Sequence, residues 1–138
     1  MAKLIRFSVS MDEALVRAFD RVSRDHGYVN RSEAIRDAIR GQLVRHQWEA
    51  GEEVAGVTTI LYDHHRPGAS EALTEFQHHA LGCVISTTHV HLDHDNCLEM
   101  IAVRGEARTI ERLADQLISL KSVKHGALTA TSTGKELT

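Results

Sequence analysis

Leu4-Ile5-Arg6-Phe7-Ser8-Val9-Ser10 alternates strictly from Ile5 onward, with Ile5, Phe7 and Val9 on one face and Arg6, Ser8 and Ser10 on the other. That period predicts a short strand with one apolar and one polar face. A lone strand leaves its backbone donors and acceptors unpaired, and no second strand candidate precedes residue 54. The simplest partner is the same strand from another copy of the chain.

A helix is expected directly after it. Ser10 and Glu13 have capping-box spacing, Leu15, Val16, Phe19 and Val22 form an apolar stripe, and Gly27 suits a terminator. A second helix is expected from Asn30, which has Glu33 three residues on, with Ala34, Ile35, Ala38, Ile39 and Leu43 as its stripe. A strand and two helices in so few residues bury little surface alone, whereas two interleaved copies bury a core.

The strand with Arg6-x-Ser8-x-Ser10, followed by a helix and then Asn30-Arg31-Ser32-Glu33-Ala34-Ile35-Arg36 opening another, resembles the ribbon-helix-helix DNA-binding fold. The resemblance implies a dimer whose paired strands enter the major groove of a palindromic operator. The chemistry suits that role: Arg6 can bond a guanine edge bidentately, and Ser8 and Ser10 can bond several bases. The free amides opening the second helix, at Asn30, Arg31 and Ser32, would take a backbone phosphate. The plainer alternative makes Arg6, Ser8 and Ser10 only the wet face of an ordinary strand.

The rest of the chain differs in composition. The protein has 138 residues, 42% hydrophobic and 25% charged, which suits one ordinary domain or two very small ones. Its net charge of −3 divides unevenly. Residues 1–48 carry nine Lys/Arg against six Asp/Glu, and residues 49–138 seven against thirteen, with eight of the ten histidines. Two modules with different ligands follow: residues 1–48, a linker at 49–54, and residues 55–138. Two cysteines make no disulfide framework, and no apolar run is long enough to span a membrane, so a cytoplasmic protein is expected.

Residues 46–54 read as a helix tail and linker, with Trp48 as a packing residue. Strands are expected at 56–62, 84–92, 97–103 and 123–131, and helices at 70–80 and 109–120. The order βαββαβ is the ferredoxin-like arrangement, an antiparallel sheet with two helices on one face, and so an α+β fold; it also resembles the ACT domain in topology.

Thr87-Thr88-His89-Val90-His91-Leu92-Asp93-His94-Asp95-Asn96-Cys97 concentrates the chemistry. His89 and His91 share a strand face, and a five-residue connection places Cys97 opposite His91 on that face. Two imidazoles and a thiolate suit nickel, copper or zinc, not calcium or magnesium. A fourth ligand could come from His78 or His79. His94 and Asp95 are expected to be solvated turn residues, and Cys83 a small residue at a strand start.

The two modules together, over residues 4–131, resemble the nickel-responsive repressor family NikR. That resemblance implies one Ni(II) per chain in a square plane, held by His89, His91 and Cys97 with His78 from a neighbouring chain. Gln77 and Glu99 would orient the ligands by hydrogen bonding. It also implies a homotetramer, a dimer of dimers, and repression of nickel-uptake genes by the loaded protein. A second cation, K+ or another metal, is suggested near Glu33 and Asp37, whose plain alternative is a helix cap and a solvated acid. Two further readings remain: a ribbon-helix-helix repressor or antitoxin with a non-metal effector, and a His2Cys zinc enzyme with an open position for water.

Overall fold

The computed structural model describes residues 3–80 and 82–138. These form two compact units, one of residues up to Leu43 with Glu136–Thr138, the other Val44–Lys135.

In the first unit, residues 3–10 form no strand in the single chain. Ile5, Phe7 and Val9 are all exposed, as are Leu15, Val22, Ile39 and Leu43 of the helical stripes. The expected strand is absent for the reason its isolation suggested: nothing within the chain supplies a ladder for its N–H and C=O groups.

Helix α1 spans Glu13–Asp25. Its cap corrects the expected Ser10/Glu13 box, because Asp12 is the N-cap and its carboxylate accepts from the Ala14 amide at 2.8 Å. Asp12 stands one residue before the helix, where a short acceptor reaches the free amides, and Glu13 pairs with Arg17. At the other end Gly27 (φ 81°) ends α1. The Gly27 and Tyr28 amides reach back to Arg24 and Ser23, so the last carbonyls are satisfied. Helix α2, Arg31–Glu49, begins as expected, with the Asn30 side chain accepting from the Glu33 amide at 2.9 Å.

The last turn of α2 belongs to the second unit, where Trp48 is in the core and its indole N–H donates to the Thr131 carbonyl at 2.8 Å. The elements that follow are β1 (Glu53–Asp63), α3 (Ala69–His79), β2 (Val84–His91), β3 (Asn96–Glu106), α4 (Ala107–Ile118) and β4 (Val123–Thr131). The sheet order is β2-β3-β1-β4 and every neighbouring pair is antiparallel. This is the βαββαβ topology expected from the sequence. The strands β1 and β3 are longer than their apolar runs because Glu53 and Glu106 still pair at the sheet's end.

One face of the sheet holds the core. Val54, Ile60 and Tyr62 of β1 and Cys97, Ile101 and Val103 of β3 are buried with Ile110 and Leu117 of α4 and Leu73 of α3. Alternation along β3 is strict, so Cys97 and Glu99 face the same side as Ile101 and Val103. Close approach of β1 to β4 depends on Gly56, where a Cβ would lie 2.8 Å from the Thr129 carbonyl oxygen.

Candidate metal centre

Strand register builds the site. His91 pairs with Cys97 and His89 with Glu99 across β2 and β3, while Tyr62 pairs with Cys97 across β1 and β3. Pairs opposite one another in a ladder share a face, so three strands bring His89, His91, Cys97, Glu99 and Tyr62 to one surface. Leu92–Asp95 is a tight turn. The Asp93 carboxylate accepts from the amides of Asp95 and Asn96 and from the Asn96 side chain, which keeps the connection at the odd length that the pairing needs.

The Cys97 thiol is fully buried. Its Sγ lies 3.2 Å from Nδ1 of His91 and 3.2 Å from Nδ1 of His64. Metal bonds of about 2.3 Å to sulfur and 2.05 Å to nitrogen put the two donors about 3.1 Å apart at a right angle, and about 3.6 Å apart at a tetrahedral one. The observed spacing therefore suits neighbouring ligands at a near-square angle, as well as the hydrogen bonds that join these groups without a metal. Burial, then the nearby Asp93, Glu99 and Asp63 carboxylates, push the Cys97 thiol above its ordinary pKa. A metal must therefore displace a proton from it. Burial, followed by the neighbouring His65 and His91 rings, lowers the pKa of His64, so its ring stays neutral and keeps a lone pair.

His89 stands beside His91, with ring centroids 4.8 Å apart. Its Nδ1 is 3.1 Å from the Tyr62 hydroxyl and 4.0 Å from Oε2 of Glu99. Burial, then the negative charge of Glu99 and of a Cys97 thiolate, push the Tyr62 pKa up to about 12, so the phenol keeps its proton. The Gln77 amide donates to the other Glu99 oxygen, Oε1, at 2.5 Å. Gln77, Glu99, Tyr62 and His89 thus form one polar chain running from α3 to the edge strand.

The sequence did not single out His64. It follows β1 two residues after Tyr62, which is the position expected to return to the Cys97 side, and that parity was the available signal. His78 is exposed on the last turn of α3, and among the described residues it is not gathered around Cys97. The neighbouring His79 ring bonds the Glu75 carbonyl at 2.8 Å. Cys83 is a free, half-buried thiol whose Sγ lies against Gly105.

In the first unit, Arg6, Ser8 and Ser10 are exposed, as are Asn30 and Ser32. Arg31 is committed differently from the expectation of a free phosphate ligand: its guanidinium forms a two-point pair with Asp20, at 2.9 and 2.7 Å. Glu33 and Asp37 line one recess together with Tyr28, Arg36 and Arg40. The Tyr28 hydroxyl donates to Asp37, which raises the Tyr28 pKa.

Fold and site together define a class: a two-module protein whose ferredoxin-like domain presents buried sulfur and imidazole donors of the kind that hold a borderline transition metal. Comparison with known proteins agrees. Residues 55–131 match the family described as the NikR C terminal nickel binding domain, and residues 5–45 match the ribbon-helix-helix protein, copG family. A relative from Pyrococcus horikoshii, named for nickel-responsive regulation, is 54% identical over 98% of this chain and 99% of its own. Similarly named relatives from Thermococcus kodakarensis and Geobacter sulfurreducens are 53% and 54% identical, over 98% and 99% of this chain and 99% of theirs. A solved structure of the uncharacterized protein TM1266 from Thermotoga maritima matches at a TM-score of 0.52 and 15% identity, over 57% of this chain and 98% of that one, and so speaks to the fold alone. The chain belongs to the NikR family of nickel-responsive transcriptional regulators, which are not enzymes.

Proposed function

We propose that this protein represses nickel-uptake genes when Ni(II) is bound, with one ion per chain held by His89, His91 and Cys97 and by His78 of a neighbouring copy. The observation that carries this reading is the register pairing His91 with Cys97, with Nδ1 3.2 Å from Sγ. Thiolate and imidazole donors supply the strong field that favours a planar nickel complex. Tyr62 and Glu99 occupy the Nδ1 side of His89, which leaves Nε2 of that ring for the metal, while Gln77 holds Glu99 in place.

The exposed apolar residues Ile5, Phe7 and Val9 support a dimer in which residues 4–10 of two chains pair as a ribbon. Arg6, Ser8 and Ser10 would then face the major groove of a palindromic operator. Asn30, Arg31 and Ser32 would hold a backbone phosphate, with Arg31 sharing its charge between the phosphate and Asp20.

A ligand contributed across an interface makes metal affinity depend on subunit arrangement, and only such a difference lets metal shift an equilibrium between DNA-binding states. The assembly is a homotetramer acting in the cytoplasm, with DNA-binding modules at residues 1–48, linkers at 49–54 and metal-binding, tetramerising modules at 55–138. A second cation, K+ or another metal, would sit near Glu33 and Asp37. Arg36 and Arg40 in the same recess offset the two carboxylates, so it is held weakly.

The test is an anaerobic Ni(II) titration of the full chain, followed in the near ultraviolet beside Cys97→Ala. A thiolate-to-nickel band saturating at one ion per chain, and lost in the variant, is the expected result. Tight nickel binding retained by the variant would sink the assignment. One observation favours a second reading: His64 touches Cys97 within the chain, and would replace His78 as a ligand. His78→Ala disturbs the band and subunit coupling in the first reading, and His64→Ala does so in the second.

A further inference from the structure

A second group of donors lies at the surface. Among the described residues, one nitrogen from each of His65 and His94 and one oxygen of Asp95 all fall within 4.8 Å of one another. Nδ1 of His94 is 2.9 Å from Oδ1 of Asp95, and Nε2 of His65 is 3.7 Å from the same oxygen. The two imidazole rings are stacked, with centroids 4.8 Å apart. Ligands about 2.1 Å from one metal ion stand about 3.0 Å apart at a right angle and about 4.2 Å apart when opposite, so both oxygen–nitrogen distances fall near or inside that range.

The three residues come from two segments that are each locally fixed. The Asp63 carboxylate accepts from the His65 amide at 2.9 Å, just after β1. On the other side, Asp93 holds the turn carrying His94 and Asp95 through the Asp95 and Asn96 amides. Nε2 of His65 bonds the His94 carbonyl at 2.8 Å, which already joins the two segments. The donors are therefore arranged before any ion arrives, and little side-chain freedom remains to be lost on binding.

We propose that His65, His94 and Asp95 form a second metal site, for a borderline divalent transition-metal ion, with water completing the coordination. Two imidazoles and one carboxylate select nickel, copper or zinc over calcium and magnesium, which prefer oxygen donors. The site binds more weakly than the Cys97 centre for two reasons. It has no thiolate, and an ion must displace the bond between His65 and the His94 carbonyl. All three residues are exposed, so exchange with solvent is direct. An ion here ties the β2–β3 turn to the segment after β1, and that turn connects His91 to Cys97. None of the three residues is a ligand in the nickel plane proposed above, so the site stands or falls separately.

The experiment counts ions on the full-length protein by equilibrium dialysis against excess Ni(II), comparing the wild type with His94→Ala and His65→Ala. The thiolate band is recorded on the same samples. The expected result is a weaker ion without thiolate absorption, whose affinity falls at least about tenfold in both variants while the band stays unchanged. Copper(II) spin resonance on Cys97→Ala protein would show nitrogen couplings that each of the two substitutions removes. Absence of a weaker ion, or its retention at full affinity in both variants, overturns the proposal. Loss of the thiolate band from wild-type protein would instead count against the nickel plane.

Discussion

His91 stands directly opposite Cys97 in the β2–β3 ladder, with Nδ1 of the imidazole 3.2 Å from the thiol sulfur. Because β2 is the edge strand, its side chains are solvent-exposed while Cys97 on the inner strand is buried. The centre thus has an open imidazole side and a closed sulfur side. An ion can reach His89 and His91 from solvent, while the thiolate is shielded from oxidants and competing reactions.

Burial of Cys97 makes nickel affinity depend on pH. The thiol pKa is raised, so between about pH 7 and pH 8.5 the metal-free protein carries that proton and each bound ion releases it. Affinity rises with pH by about tenfold per unit from this group and levels off only above the raised pKa. Chelator-competition titrations at several pH values measure the slope. A flat profile means that the ion does not take the thiolate.

Glu99→Gln removes a carboxylate that faces His89 and accepts from Gln77. Nickel affinity falls by about 10–100-fold while the thiolate band persists, because the sulfur remains and only the orientation of the imidazole is lost. Unchanged affinity assigns Glu99 to packing alone.

Arg6→Ala reduces discrimination between operator and random DNA by about 1–3 kcal/mol, with a smaller effect on nonspecific binding. Equal weakening on both DNAs, measured at one salt concentration, would show a phosphate contact in place of base readout.

Asp12 and Ser10 separate two accounts of how α1 begins. Asp12→Ala destabilises the protein by about 1 kcal/mol because the Ala14 amide loses its acceptor. Ser10→Ala changes thermal stability by less than about 0.5 kcal/mol. Comparable losses from both would restore Ser10 as a cap.

Gly56→Ala lowers stability by about 1–3 kcal/mol, since the new methyl group would meet the Thr129 carbonyl oxygen at 2.8 Å and must push β1 and β4 apart. Denaturant unfolding of the two proteins measures it, and a neutral result would mean that the strand pair yields at no cost.

Much of the site was legible because its rules are local. His89 and His91 lie two apart on a strand, five residues separate His91 from Cys97, and a period of two with an odd connection puts all three on one face. The βαββαβ order follows from apolar periods and turn residues of the same local kind. The cap of α1 was misplaced because Ser10 and Asp12 both offer a short acceptor near one helix start, and spacing does not say where the first turn begins.

Residues 4–10 mark the other limit. Their alternation predicts a strand, yet a strand exists only against a ladder partner, and the single chain provides none. The sequence by itself determined which residues alternate, where the helices and strands fall, and that His91 meets Cys97. Only the tertiary structure decided that His64 joins them, that Gln77 reaches Glu99, and that His65 meets His94 and Asp95. Those residues come from separate elements, and their meeting depends on how a sheet and its loops pack in three dimensions, which no local period encodes.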